Sequence, residues 1–171
     1  MIFVTLGTHH DPFPRLIEGL QALDGSQLIV QHGHSPAPLH AAEAVEFMPV
    51  ADMVERIGAA DVVVTHAGVG SILTCLRYGK TPLVVPRQHR LGEHVDNHQV
   101  ELTRALAEDG KVIPVWDVAT LPELVALAPP PAVSNGEATT DLHDAVREAL
   151  QPAGQRSRRF RRSRDSVPLA S

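Results

Sequence analysis

Cysteine occurs once in the 171 residues, tryptophan and tyrosine once each, and aromatic residues amount to only 4%. A lone Cys75 excludes an internal disulfide. So few aromatics leave the core to Val, Leu, Ile and Ala, the composition of buried strands and the helices packed over them. No stretch approaches the roughly 20 apolar residues that a membrane-spanning helix requires, so bilayer contact is expected to be peripheral or borrowed from a partner. No basic, signal-type leader precedes the first apolar run, and with no disulfide the expected location is cytoplasmic. Positive charge is also scarce outside one segment. Residues 151–171 hold Arg156, Arg158, Arg159, Arg161, Arg162 and Arg164 against only Asp165, so the net charge of -5 conceals a body near about -10. An acidic body argues against nucleic acid as the main partner. The basic tail is open to two readings, a solvated disordered segment or a contact for anionic lipid or an acidic protein surface.

What is present suffices for one domain. A hydrophobic content of 43% over this length supports a single self-supporting core, expected over residues 1–150, with 151–171 as the tail. Strands are predicted at residues 2–6, 27–31, 45–48, 61–65, 82–85 and 112–115, where apolar and β-branched residues cluster between turn residues. Helical spacing predicts helices over 13–23, 51–60, 71–78 closed by Gly79, a segment carrying Val95, Gln99, Leu102 and Leu106 that ends at Gly110, and 121–127 and 142–150. Residues 35–44 read as a loop or short helix. Alternating strands and helices imply right-handed crossovers and a parallel, Rossmann-like α/β sheet. Ligands of such sheets sit where strands end and helices begin, which directs attention to the loops after Leu6, Thr65 and Val85.

In Thr65-His66-Ala67-Gly68-Val69-Gly70-Ser71, two glycines allow close backbone approach, and the following helix offers free N–H groups and its positive dipole end. That suits a phosphate, with His66 and Ser71 as added donors; a plain tight turn has the same spacing. The loop Gly7-Thr8-His9-His10-Asp11-Pro12 has a similar layout, and His9 or Asp11 suits a general base as well as it suits a capping role. The third loop, residues 86–99, carries Arg87, Glu93, Asn97, His98 and Gln99, side chains of the kind that bond sugar hydroxyls, or simply a solvated helix start. His89, His94 and His98 have partial metal-ligand spacing but lack a completing Cys or carboxylate set, and no metal is expected. Cys75 reads as a small core residue.

These motifs together resemble the C-terminal domain of the family 28 glycosyltransferases, of GT-B architecture, over about residues 1–125. The segment 65–71 followed by Gly79 and Pro82 is similar to that family's donor-diphosphate segment, and Asn97-His98-Gln99 to its donor-sugar segment. Residues 3–9, and Pro86-Arg87 through Leu91-Gly92-Glu93-His94, resemble its short stand-alone members: catalytic subunits of two-part UDP-sugar transferases of dolichol-linked oligosaccharide synthesis and of bacterial capsule or exopolysaccharide synthesis. The resemblance implies an inverting, metal-free transfer from a UDP-sugar to a lipid-linked glycan, aided by a membrane-anchored, acceptor-binding subunit. It implies diphosphate contacts at His66, Ala67, Gly68, Val69, Gly70 and Ser71, with Gly7 and Thr8 on the neighbouring loop. Asn97, His98 and Gln99 are the expected sugar-side contacts, Arg87 and Glu93 further donor contacts with the arginine open to sugar or phosphate, and the backbone near Phe47 and Met48 the uracil contact. His66 and His9 are the catalytic candidates. Where the wider family carries a ribose-binding glutamate, this chain has Thr74, whose hydroxyl lacks a charged, bidentate acceptor.

A complete GT-B enzyme closes two Rossmann-like domains around its ligands, more than 171 residues build, so the acceptor half is expected from another chain. Three alternatives stay open: a non-catalytic nucleotide-sugar-binding subunit, a UDP-sugar epimerase or hydrolase, and an interaction module acting through its Arg-rich tail.

Overall fold

The first strand, β1 (Ile2–Thr5), is buried at every position, because helices cover both faces of the sheet that it centres. Ile2 and Val4, with Leu6 beyond them, pack towards the helix α1 (Pro14–Leu20), whereas Phe3 points to the opposite layer. This period-2 division of one apolar run is what makes a three-layer arrangement. The computed structural model describes residues 1–129; the expected helix over 142–150 and the basic tail lie outside the described residues.

Five more strands pair in parallel: β2 (Leu28–Gln31), β3 (Glu43–Val45), β4 (Val62–Thr65), β5 (Leu83–Val84) and β6 (Ile113–Pro114), in the spatial order β3-β2-β1-β4-β5-β6. The helices α2 (Val50–Ala59), α3 (Val69–Arg77), α4 (His98–Glu108) and α5 (Leu121–Leu127) complete the crossovers. On one face, α1 and α5 cover Val4, Val64, Leu83 and Val85; on the other, α2, α3 and α4 cover Phe3, Val63 and Val84. The sheet is the expected Rossmann-like one. Chain direction reverses its order of addition between β1 and β4, where Thr5 stands opposite Thr65. A crevice therefore opens at their C-terminal ends. Among the described residues no helix is long and apolar enough to cross a membrane.

Several predicted bounds shift for identifiable reasons. The third strand occupies Glu43–Val45 rather than 45–48, because parallel pairing with Ile29, Val30 and Gln31 draws in Glu43 and Ala44. This strand is at the sheet edge, so register rather than its own hydrophobicity sets its extent. Helix α3 begins at Val69, two residues before the predicted start, which places Gly70 in its first turn. Val95, predicted on the buried face of the fourth helix, lies before that helix and is 76% exposed. Cys75 is buried against Phe3, Ile57 and Val63, and burial pushes its thiol up to about 12, so it acts as a core residue.

Candidate functional site

Three strand-to-helix loops converge at the β1–β4 crevice. The loop after β4 contributes His66, which is threaded between two glycines. A Cβ on Gly7 or on Gly68 would collide with the imidazole ring, and Gly7 also has a positive φ of 76°. These two glycines therefore make room for His66, while a Cβ on Gly70 would meet nothing within 4 Å. Gly70, in the first turn of α3, is the glycine that faces open space. Gly33, after β2, closes the same rim, since its Cβ would lie 2.8 Å from the Gly7 carbonyl oxygen.

The N-terminus of α3 has no side-chain cap: Gly68 occupies the capping position, and the first intrahelical bond runs from the Ile72 N–H to the Gly68 carbonyl at 3.1 Å. The preceding first-turn N–H groups are the ones a helix leaves free, and they carry the positive end of its dipole. Ser71 is buried beside them, while Ala67 belongs to the core below. Thr74, one turn further on, donates its hydroxyl to the Gly70 carbonyl at 2.8 Å, which leaves the oxygen lone pairs as its remaining hydrogen-bonding capacity.

His66 is held neutral. Burial is the main cause that lowers its pKa to about 4, and the neighbouring Arg87 guanidinium adds to it. Nδ1 is buried without a hydrogen-bond partner, as is the Thr65 hydroxyl beside it. Because the folded state binds the imidazole proton more weakly than the unfolded chain, whose histidine titrates near 6.5, the stabilisation is complete above pH 6.5. It is lost as pH falls towards 4, at most about 3 kcal/mol for a shift of this size. The acid limb of a stability–pH curve measured by urea unfolding is thus expected to flatten in His66→Gln, and an unchanged limb would assign it to another group.

Arg87, on the third loop, is 1% exposed and has its guanidinium 4.5 Å from the centre of the Phe13 ring. Nη1 donates to the carbonyls of Pro12 at 3.1 Å and Glu93 at 3.4 Å, so it joins the first loop to the third. Its Nε is buried without a partner, and its charge, with no carboxylate bonded to it, faces His66 and His9. Burial lowers its own pKa, with Glu93 and Asp11 opposing that shift. Gln99 reaches back from the first turn of α4, its Oε1 accepting the Arg87 backbone N–H at 3.0 Å. Asn97 and His98 are exposed; Asn97 Oδ1 accepts from the His89 N–H at 3.3 Å, and the His98 N–H donates to Asp96 at 3.0 Å.

Glu93 departs from the expected sugar contact. It is 6% exposed, and its carboxylate accepts from Arg15 Nε at 2.7 Å, Arg15 Nη2 at 2.9 Å and the Gln88 N–H at 2.9 Å. A buried carboxylate requires a compensating cation, and Arg15, absent from the sequence-based candidates and itself partly buried, supplies it. The signal available was an arginine in the first turn of a helix whose other side chains are mostly apolar.

His9 stacks on His10 with ring centroids 4.6 Å apart and lies 5.2 Å from the His94 ring. Its Nδ1 accepts the Asp11 N–H at 3.1 Å, so a neutral ring carries its proton on Nε2 and offers the cleft a donor in this conformation. Burial first, then Arg87, lowers its pKa, against the raising effect of Asp11. Ligand atoms of His9, His10 and Asp11 lie within 4.8 Å of one another, a grouping that the spacing of His89, His94 and His98 did not foreshadow. The Asp11 backbone bond and the 3.1 Å His10–Asp11 pair account for that grouping without an ion. Thr8 is exposed on the same loop; Phe47, 44% exposed after β3, meets the edge of His34 at 5.2 Å, and Met48 packs into the core beneath.

Comparison with known proteins adds an independent line. The chain is 34% identical over 121 residues to the human UDP-N-acetylglucosamine transferase subunit ALG13, covering 64% of this chain and 10% of that protein. It is 33% identical over 111 residues to the protein of that name from Yarrowia lipolytica, covering 56% and 55% respectively. The Cryptococcus neoformans protein of that name is 46% identical over 70 residues, covering 40% and 33%. The chain thus spans about half or less of the length of these relatives. The model of the glycosyltransferase family 28 C-terminal domain matches residues 1–125, the whole of the sheet and the three site loops, and the chain belongs to that family.

Proposed function

We propose that this chain is the donor-binding, catalytic subunit of an inverting glycosyltransferase. It transfers a sugar from a UDP-sugar to a lipid-linked glycan acceptor in polysaccharide or glycolipid synthesis, and acts with a membrane-anchored, acceptor-binding subunit. The observation that carries this reading is the meeting of an uncapped α3 N-terminus with neutral His66 and the buried Arg87, whose Nε has no partner and which has no bonded carboxylate, at one crevice. Free N–H groups, a helix dipole and a desolvated cation all favour the same ligand, a diphosphate. The relatives are named as UDP-N-acetylglucosamine transferase subunits, which agrees in nucleotide-sugar chemistry and in partnership.

In this reading the backbone at Gly68, Val69, Gly70 and Ser71 receives the diphosphate with His66. Gln99, already oriented by its Oε1 bond to the Arg87 backbone, presents its amide Nε2 to the sugar together with Asn97 and His98. Phe47 and the backbone beside Met48 hold uracil, and the Thr74 oxygen accepts from a ribose hydroxyl. As the glycosidic bond breaks, negative charge grows on the diphosphate; fixed N–H dipoles and Arg87 stabilise it without reorganising, and no metal is called for. His9 contacts the acceptor side. The resemblance to bacterial exopolysaccharide transferases and the relation to a UDP-N-acetylglucosamine transferase subunit are both compatible with this chemistry.

One observation favours a second reading. Thr74 spends its hydroxyl proton on Gly70, so the ribose lacks the charged acceptor that fixes a nucleotide in the wider family, as in a binding subunit without catalysis. Co-expression with an anchored partner separates the two. Transfer from radiolabelled UDP-sugar is expected to fall by about 10²–10³ in His66→Ala, the scale of one lost transition-state donor, while the complex still assembles. Undiminished transfer would overturn the catalytic assignment of His66.

A further inference from the structure

Beside the donor crevice, the loop after β5, one face of α4 and Trp116, two residues beyond β6, line a second, open groove of ≈ 440 Å³. Gln88, Arg90, Asn97, Glu101, Arg104 and Trp116 line it. Trp116 is the sole tryptophan of the chain and is 41% exposed, with the Arg104 guanidinium over its ring 5.7 Å from the centroid. Arg90 is likewise oriented, its Nε donating to Gln88 Oε1 at 2.8 Å, which leaves the two terminal nitrogens free to point elsewhere.

We propose that this groove binds a carboxylate-bearing sugar, a hexuronate, with its carboxylate between Arg90 and Arg104 and its ring against Trp116. Two planar guanidinium forks match a carboxylate's geometry. An accessible indole supplies an apolar surface, and Asn97, exposed in the same groove, keeps its amide N–H groups for the directional bonds that a pyranose ring needs. Two arginines against Glu101 leave one net positive charge, which suits a monoanion better than a dianionic phosphate. They do so on a body whose charge is otherwise strongly negative, so the groove is a local exception to the field around it.

Asn97 belongs both to this groove and to the donor-sugar contacts proposed above, so the bound uronate is either the sugar of the donor or the neighbouring residue of the acceptor glycan. The inference rests on the donor reading only for the first source. Because Trp116 is the single tryptophan, its fluorescence reports occupancy directly. Using the full chain, Trp116 emission is titrated with UDP-glucuronate against UDP-glucose, and with a glucuronate-terminated oligosaccharide against its neutral counterpart, each corrected against UDP alone. One acidic ligand is expected to bind about tenfold or more tightly than its neutral partner, and Arg104→Gln or Arg90→Gln to remove that preference. A preference within the UDP-sugar pair identifies the donor as the source; one within the oligosaccharide pair identifies the acceptor. Equal affinities in both pairs, or a preference that survives both substitutions, overturn the assignment. UDP alone serves as the separate control by thermal shift. Stabilisation by UDP without any acid preference removes the groove and leaves the donor reading standing, whereas Trp116 quenching by the oligosaccharide without a UDP response removes the donor reading and keeps the groove.

Discussion

Glu93→Ala is expected to lower the unfolding free energy by about 2–3 kcal/mol, below the full cost of stranding a buried charge because Arg15 is partly exposed. The carboxylate bonds both Arg15 Nε and Nη2 and also takes the Gln88 N–H. Its loss strands a guanidinium and a buried backbone donor together. Arg15 keeps one bond, from Nη2 to the Pro86 carbonyl at 2.8 Å, which does not compensate its charge. Urea denaturation of the two proteins measures the difference. The double variant Arg15→Met/Glu93→Leu is expected to recover most of it, since replacing both ions by apolar groups is often neutral. A loss below about 1 kcal/mol would show that the pair behaves as an exposed one. The expected consequence for function is indirect: Glu93 ties α1 to the third loop, and the loop in turn places Arg87.

Arg87→Gln is expected to reduce donor turnover by about 10²–10³ in kcat/KM under the proposed function, because it removes the desolvated cation that answers the growing diphosphate charge. The same substitution has a second readout, independent of any substrate. A positive neighbour disfavours the imidazolium, so its removal raises the pKa of His66 and of His9. His66 remains below 6.5 even so, since burial is the larger cause of its shift. Imidazole resonances followed through a pH titration by NMR measure the change directly. Glutamine retains N–H groups for the Pro12 carbonyl, which limits the structural cost. A variant with normal turnover and a raised His66 pKa would leave Arg87 as a structural strut and move the diphosphate's counter-charge elsewhere.

The alternating strand and helix pattern was legible because apolar runs with β-branched residues and helical spacing are local properties. Leu121–Leu127 was read to the residue. The edge strand was not, since Glu43 and Ala44 are strand only by pairing with β2, a contact between residues distant in the chain. At the site, the polar loops were legible as a set, because Gly, His, Asn and Gln gather where strands meet helices. Their individual tasks were not. Gly68 and Gly70 look alike in sequence, yet one clears space for His66 and the other faces open volume. Glu93 looks like a hydroxyl acceptor until Arg15, 78 residues away, takes both of its oxygens.

The chain's own sequence determines the order of elements, the buried Val and Leu runs that force a sheet covered on both faces, and the three polar loops at its carboxyl rim. It also determines the family, through motifs whose spacing is short. Tertiary structure alone decides which polar groups are spent on one another and which are left over. That division is not local: the Glu93 carboxylate pairs with Arg15, 78 residues away, while Arg87 has carbonyl partners but no bonded carboxylate. The same reason sets His66 neutral and places Arg90, Arg104 and Trp116 around one groove, although nothing in their positions along the chain brings them together.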